Sequence, residues 1–386
     1  MKDYESYAIN LRRELHENAE CGFDLPNTLS ILRRELVEIG VEFTESYGKS
    51  SIVATVNPEK SRFTIGIRAD IDALPITEKN DVPYKSKTEG KMHACGHDAH
   101  GAIAMTTLKR IYEMRDEINC RVKFIFQAAE EFAPSGAKLM VDDGVMKDID
   151  VILALHVDTD FKAGEIGLLD GALNAASDGS LIEFFGKNAH AALQQDGVDA
   201  IMMAVKAYTE IEFIIAKEIS PREPIIFNVG SFHGGKANNI ICERCEMYFT
   251  LRTWYEETRQ MVLSKIRRIC ESVAEISGGS FRITDNKHYP MVVNSSLLHP
   301  LVEKAAESVI GKENIRVKKR GLGGEDFSYF ANEKPGYMFR LGIKNEERGI
   351  THTVHTDRFD IDESALMIGS DVFVRFILDN MNGIDA

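Results

Sequence analysis

A chain of 386 residues is too long for one hydrophobic core, which stops growing at roughly 250–300 residues, so two domains are expected. A formal charge of −14 excludes non-specific binding to nucleic acid or anionic membrane, because both need a basic face. Met1–Glu20 lacks the apolar core of a signal peptide, no stretch approaches the roughly 20 apolar residues of a membrane span, and the six scattered cysteines suit reduced thiols, so a cytoplasmic location is expected.

Tyr4–Asn18 reads as a helix, and Asn27–Gly40 as a second, with Asn27 as its N-cap and glycine at its end. Ser51–Val56 and Arg62–Ala69 are strand-like, Ala99–Arg115 has helical apolar spacing, and strands follow at Arg121–Gln127 and Val151–Val157. This alternation predicts an α/β layer with a mostly parallel sheet. From Gly179 the pattern changes: strand Ser180–Gly186, helix Ala200–Ile215, strands Ile225–Phe232 and Cys245–Thr253, helix Glu257–Ser277 and strand Phe281–Thr284. Two strand–helix–strand units predict a small α+β domain of split βαβ type. After Val293 the first pattern resumes, through a last helix at Glu363–Leu378. The predicted organisation is an α/β domain, residues 1–178 plus 293–386, interrupted by an inserted α+β domain, residues 179–292.

The strongest chemical signal is His93-Ala-Cys95-Gly-His97-Asp98-Ala-His100, with five metal-ligating side-chain types in eight residues. Gly96 lets the backbone bend so that Cys95 and His97 turn toward one point. A thiolate and an imidazole suit zinc, cobalt, nickel or manganese; a polar loop around a buried, inert cysteine is the competing reading. Glu130-Glu131 closes the apolar run Phe124–Ala129, at the strand end where open α/β sheets carry their sites. Adjacent residues point different ways, so one carboxylate can bind metal while the other faces substrate. A solvated acidic pair is the plainer alternative. His156 ends the run Val151–Leu155, and Thr351-His352-Thr-Val-His355 lies in a polar loop. Each is unremarkable alone; together they fall on one predicted rim. Cys242-Glu-Arg-Cys245 has neither a second pair for a zinc ribbon nor a thioredoxin-like context, and reads as two cysteines opening a strand. His16, His288 and His299 have no chemical context.

In order along nearly the whole chain, several stretches resemble the amidohydrolase branch of the aminoacylase–carboxypeptidase metallopeptidases. That branch includes hippurate hydrolase, auxin–amino-acid conjugate hydrolases and N-acetyldiaminopimelate deacetylase. The stretches are Arg12–His16, Arg68–Pro75, His93–His100, Gln127–Glu131, Leu155-His156, His190–Ala192, Gly234-Gly235 through Asn239–Ile241, Arg252-Thr253, Gly323–Phe327 and His355. The resemblance implies a catalytic α/β domain holding two divalent ions, and an inserted ferredoxin-like domain through which many members dimerise. It implies metal ligands at Cys95, His97, Glu131, His156 and His355, and a catalytic acid/base at Glu130. It also implies a histidine at His190 that reaches the partner subunit's site, and substrate-carboxylate contacts at Asn239 and Arg252. The implied activity is metal-dependent hydrolysis of the amide bond of an N-acyl amino acid, by a homodimer. A metallo-dipeptidase or aminopeptidase, a catalytically silent metal-binding protein and a thiol hydrolase using Cys95 are the alternatives. The family usually has proline at the positions of Ala19 and Ala128, and Pro-His where Gln194-Gln195 stand. The last difference follows His190 closely and bears on the substrate pocket or the dimer edge.

Overall fold

The computed structural model describes residues 3–60 and 62–384. Two compact units result: Met1–Leu173 with Val293–Arg320 and Asp326–Ala386, and Asn174–Val292 with Gly321–Glu325.

The first unit is built on an eight-stranded sheet. Its strands run in the order Glu42–Thr44, Ile52–Val56, Arg121–Gln127, Thr64–Asp70, Val151–Lys162, Gly336–Lys344, Ile166–Leu168, Ile315–Val317. The four central strands, from Arg121–Gln127 to Gly336–Lys344, are mutually parallel. Thr64–Asp70 is buried at every residue, which is why it reads as a continuous run rather than an alternation. The helices Tyr4–Glu17, His97–Glu113, His299–Ile310 and Ala365–Asn380 bury apolar stripes in one core with this sheet. The central strand Gly336–Lys344 carries no alternation, because it too is buried almost throughout, and periodicity alone does not single it out.

Three local expectations are corrected. The second helix begins at Pro26, with Leu25 at the N-cap position, so Asn27 is not the cap. The carboxylate of Glu20, from the preceding loop, accepts the N–H groups of Asn27 and Thr28 instead, and proline fits the first turn because it lacks an N–H to satisfy. Gly40 does end this helix, in the left-handed region at φ 84°. The third helix starts at His97, two residues before the predicted Ala99. The fifth strand does not stop at Val157 but runs to Lys162. Its pairing with Thr64–Asp70 ends at Ala154, yet Gly336–Lys344 continues beside it and keeps the backbone extended.

The second unit is a β-α-β-β-α-β arrangement. Strands Ala176–Phe185, Ile225–Gly234, Arg244–Thr253 and Ser280–Tyr289 form an antiparallel sheet in which Ser280–Tyr289 and Ile225–Gly234 are the edges. Helices Ala200–Glu218 and Glu256–Ser277 pack on it over Met203, Ala207, Ile211, Val262, Ile266 and Cys270. This is the ferredoxin-like split βαβ fold. Its first strand opens at Ala176, before the predicted Ser180, and the short segment Gly321–Glu325 belongs to this unit as well. Among the described residues no helix is long and apolar enough to cross a membrane.

Candidate metal centre

The carboxyl ends of the central parallel strands deliver most of the site in the first unit, as open α/β sheets do. Thr64–Asp70 leads to Asp72, Arg121–Gln127 leads to Glu130-Glu131, and Val151–Lys162 carries His156 just past its last pairing with Thr64–Asp70. Cys95 precedes, and His97 opens, the helix His97–Glu113. Gly96 between them has φ +82°, and a Cβ there would lie 2.4 Å from Val157 Cγ2, so only glycine makes this turn. Ala129 and His355 are also left-handed, at φ 52° and 63°. Such strain costs about 1–3 kcal/mol per residue and persists where surrounding structure enforces it.

Ligand atoms of Cys95, His97 and His156 lie within 4.8 Å of one another, and so do those of Cys95, Glu131 and His355, and of His97, Glu130 and Glu131. Cys95 Sγ is 3.5 Å from His156 Nε2, and His355 Nε2 is 3.0 Å from Glu131 Oε1. The structure thus brings together the sequence-predicted Cys95, His97, Glu130, Glu131, His156 and His355. Two imidazoles are oriented by backbone carbonyls: His97 Nδ1 donates to Asp72 O at 2.8 Å, and His156 Nδ1 to Val157 O at 2.7 Å. Each thereby turns its Nε2 away from the carbonyl and toward the donor cluster, the orienting arrangement that metal-binding histidines use. His100 differs. Its Nδ1 donates to Asp70 at 2.5 Å and its Nε2 accepts from Val157 N–H at 3.0 Å, so both nitrogens are engaged in holding the strand end. His93 is buried and belongs to no three-donor set among the described residues; burial pushes its imidazole pKa down to about 3.

Burial, reinforced by the charge of Glu131, pushes the Cys95 thiol well above its usual range. Burial would lower His97, but Asp70 and then Cys95 hold it well above the ordinary imidazole value. Burial, with His100 and Arg340 nearby, keeps His156 well below it, hence neutral. A soft sulfur, imidazole nitrogens and carboxylate oxygens at this spacing fit borderline divalent ions.

Sequence reasoning missed Asp72. Its carboxylate accepts the N–H of Glu130 at 2.9 Å and of Glu131 at 3.2 Å, while its carbonyl orients His97. The available signal was a pair of acids, Asp70 and Asp72, at the end of a fully buried strand. His16 also gains a context. With Arg12 it reaches from the first helix to Asp98, at 2.7 and 2.8 Å, in the first turn behind His97. Burial alone would raise the Asp98 carboxyl, but Arg12 and then His16 hold it far below the usual carboxylate range.

The remaining predicted residues lie in the second unit. His190 is exposed and bridged to Ile240, and Ala191 N–H donates to Asn239 O at 3.0 Å, so His190 and Asn239 are neighbours on two joined loops. The exposed turn Gln194–Asp196, which carries the unusual Gln194-Gln195, follows directly. Arg252 is not with them. It sits near the far end of Arg244–Thr253, eight residues beyond the start of that strand, roughly 25 Å away. Its half-buried guanidinium, lowered from its usual value by burial, makes no side-chain hydrogen bond or ion pair among the described residues. Asn239 and Arg252, both expected at the substrate carboxylate, thus lie in the loop before this strand and near its far end.

Residues 66–379 match the model of Peptidase family M20/M25/M40. Thermostable carboxypeptidase 2 of Saccharolobus solfataricus is 32% identical over 96% of this chain and 94% of its own length. An N-acetylcysteine deacetylase of Bacillus subtilis is 32% identical over 97% of each chain. The solved structure of a dinuclear metal-binding peptidase of the M20 family from Bacillus subtilis is 30% identical and covers 98% of this chain and 99% of its own, with a TM-score of 0.81. As the motif resemblance implied, the chain belongs to peptidase family M20/M25/M40 and is a hydrolase of that family.

Proposed function

We propose that this chain hydrolyses the amide bond of an N-acyl amino acid, releasing a carboxylic acid and a free amino acid. The observation that carries the reading is the cluster of overlapping donor sets, two of which share Cys95, with Glu130 beside them and anchored through its backbone to Asp72. Cys95, His97, Glu131, His156 and His355 would hold two divalent ions, zinc, manganese, cobalt or nickel. Once bound, such ions polarise a scissile carbonyl and lower the pKa of water from about 15.7 toward neutrality.

The remaining chemistry falls to the chain's own side chains. Glu130 takes the proton from the attacking water and passes it to the departing amine nitrogen, which must not leave as an anion. His190 donates to the oxyanion of the tetrahedral intermediate, a contribution of about 3–4 kcal/mol in comparable sites. Arg252, with no side-chain hydrogen bond or ion pair among the described residues, binds the amino acid's carboxylate through its planar guanidinium. His190 and Asn239 share one loop pair, so they act together, in the site of a second copy. The edge strand Ile225–Gly234 offers its open backbone groups for that dimer, which supports the reading of residues 179–292 as a dimerisation domain. All six cysteines are free thiols, in keeping with a cytoplasmic enzyme.

Both a deacetylase and a carboxypeptidase are among the relatives, so the test must separate acyl from peptidyl substrates. Release of free amino acid is measured from N-acetyl, N-benzoyl and N-succinyl amino acids and from dipeptides, with added metal and with chelator. Metal-dependent release from the acyl compounds is expected. Preference for dipeptides would transfer the reading to a peptidase, and release that survives chelation would move it to a Cys95 thiol mechanism.

Metal affinity should also rise steeply with pH. The raised Cys95 thiol and the raised His97 both hold protons that a metal must displace. Competition with a chromophoric chelator at about pH 6 and about pH 8 should show tighter binding at the higher value. A flat profile would remove these two residues from the ligand set.

A further inference from the structure

Cys242 and Cys245 take no part in the chemistry above. Both are buried, at 8% and 0% exposure. Cys245 lies opposite Gly234 in the sheet, and a Cβ on Gly234 would fall 2.9 Å from its sulfur. The next residue, Gly235, donates its N–H to Cys242 Sγ at 3.0 Å. One glycine–glycine step therefore touches both sulfurs, and its lack of side chains leaves them room. Cys242 in turn donates to the carbonyl of Arg244 at 2.9 Å. The two thiols differ in access: Cys242 lines a cavity of about 460 Å³, together with His233, Lys236, Glu243, Arg244 and Glu246, whereas Cys245 does not.

From this geometry we propose that Cys242 and Cys245 form a peroxide-sensitive thiol–disulfide site. The cavity gives a small hydroperoxide access to Cys242, and the Gly235 N–H is aimed at the sulfur it would reach. Cys242 sulfur attacks one oxygen of a hydroperoxide; the O–O bond breaks, and the departing oxygen leaves as water or alcohol after taking a proton. The product is a sulfenic acid on Cys242. Cys245 sulfur then attacks that sulfur, the S–O bond breaks, and hydroxide leaves as water with the proton of Cys245. Two thiols and one peroxide thus give a disulfide, with the peroxide as the oxidant. Burial and the neighbouring Cys242 push the Cys245 thiol up to about 11, so closure is slow near neutral pH and becomes faster as pH rises. Closure draws Cys242 away from Gly235 N–H and Arg244 O, two of the contacts at the base of the loop that carries Asn239. The site does not depend on the proposed substrate.

The test uses the full chain treated with hydrogen peroxide in thiol-free buffer, blocked with an alkylating agent and digested unreduced with trypsin. Cleavage after Lys236 and Arg244 places the two cysteines on separate peptides, 237–244 and 245–252. Expected is loss of both free peptides in favour of one linked species that a reductant splits. In Cys245→Ser the linked species should vanish, and Cys242 should capture dimedone instead. The proposal is overturned if both peptides return fully alkylated at a dose that converts the exposed Met202 to its sulfoxide. A link that forms only after unfolding in urea overturns it equally.

Discussion

Glu130→Gln should leave metal content unchanged while lowering kcat by roughly 10²–10⁴-fold, the range by which a positioned general acid/base accelerates proton transfer. The substitution keeps the shape of the side chain and removes only its ability to take a proton. The backbone N–H of Glu130 still reaches Asp72, so the strand end should hold its course and Glu131 its place beside His355. Metal per chain, read by elemental analysis, and turnover on the best acyl amino acid, read by amine release, form the paired measurement. Loss of both together would mean that Glu130 is a ligand. Retention of both would take the acid/base role away from it.

Arg68→Met should cost about 3–5 kcal/mol of stability, the usual effect of removing one partner from a buried ion pair. Arg68 is fully buried in the central strand Thr64–Asp70, where Nη1 meets Asp70 and Nη2 meets Asp326, both at 2.6 Å, and Nε meets Gln127 at 2.8 Å. Asp326 also accepts from Gln127 Nε2 and Ser135 Oγ, each at 2.7 Å, and so ties this strand to the segments after Arg121–Gln127. Methionine fills much of the same volume but leaves two carboxylates without their cation. The pH dependence follows from the direction of the Asp70 shift. Burial raises this carboxyl, but Arg68, with His97 and His100, holds it well below its ordinary value. Its stabilisation is thus complete above the unfolded value of about 3.9 and is lost as pH falls through the lower folded value. The variant, whose Asp70 protonates more readily, should differ from wild type most near neutrality and least in acid. Urea midpoints at about pH 7 and about pH 3 provide the measurement. An equal deficit at both values would trace the loss to packing rather than charge.

Some of this molecule is plain from residue order alone. A thiol, three imidazoles and an acid within His93–His100 stand out because metal-binding side chains are costly to concentrate without a use, and the acidic pair after Phe124–Ala129 sits where a strand must end. Helices such as Tyr4–Glu17 and Glu256–Ser277 were legible because one face is apolar at a spacing near 3.6. Gly336–Lys344 was not, since a strand buried on both faces carries no alternation to read.

What a linear pattern determined was therefore the kind of chemistry, the alternation of layers and the side chains able to bind metal. Only the tertiary structure decided that Asp72 anchors the Glu130-Glu131 backbone, that Glu20 rather than Asn27 caps the second helix, and that His100 is spent on Asp70 and Val157. It also set Asn239 in the loop before the strand Arg244–Thr253 and Arg252 near that strand's far end, and met Arg68 with an acid 258 residues away. The reason is common to all of them. A side chain's type states which bonds it can make, but a hydrogen bond requires a partner within about 3 Å, and which partner arrives depends on pairings between segments far apart in the chain.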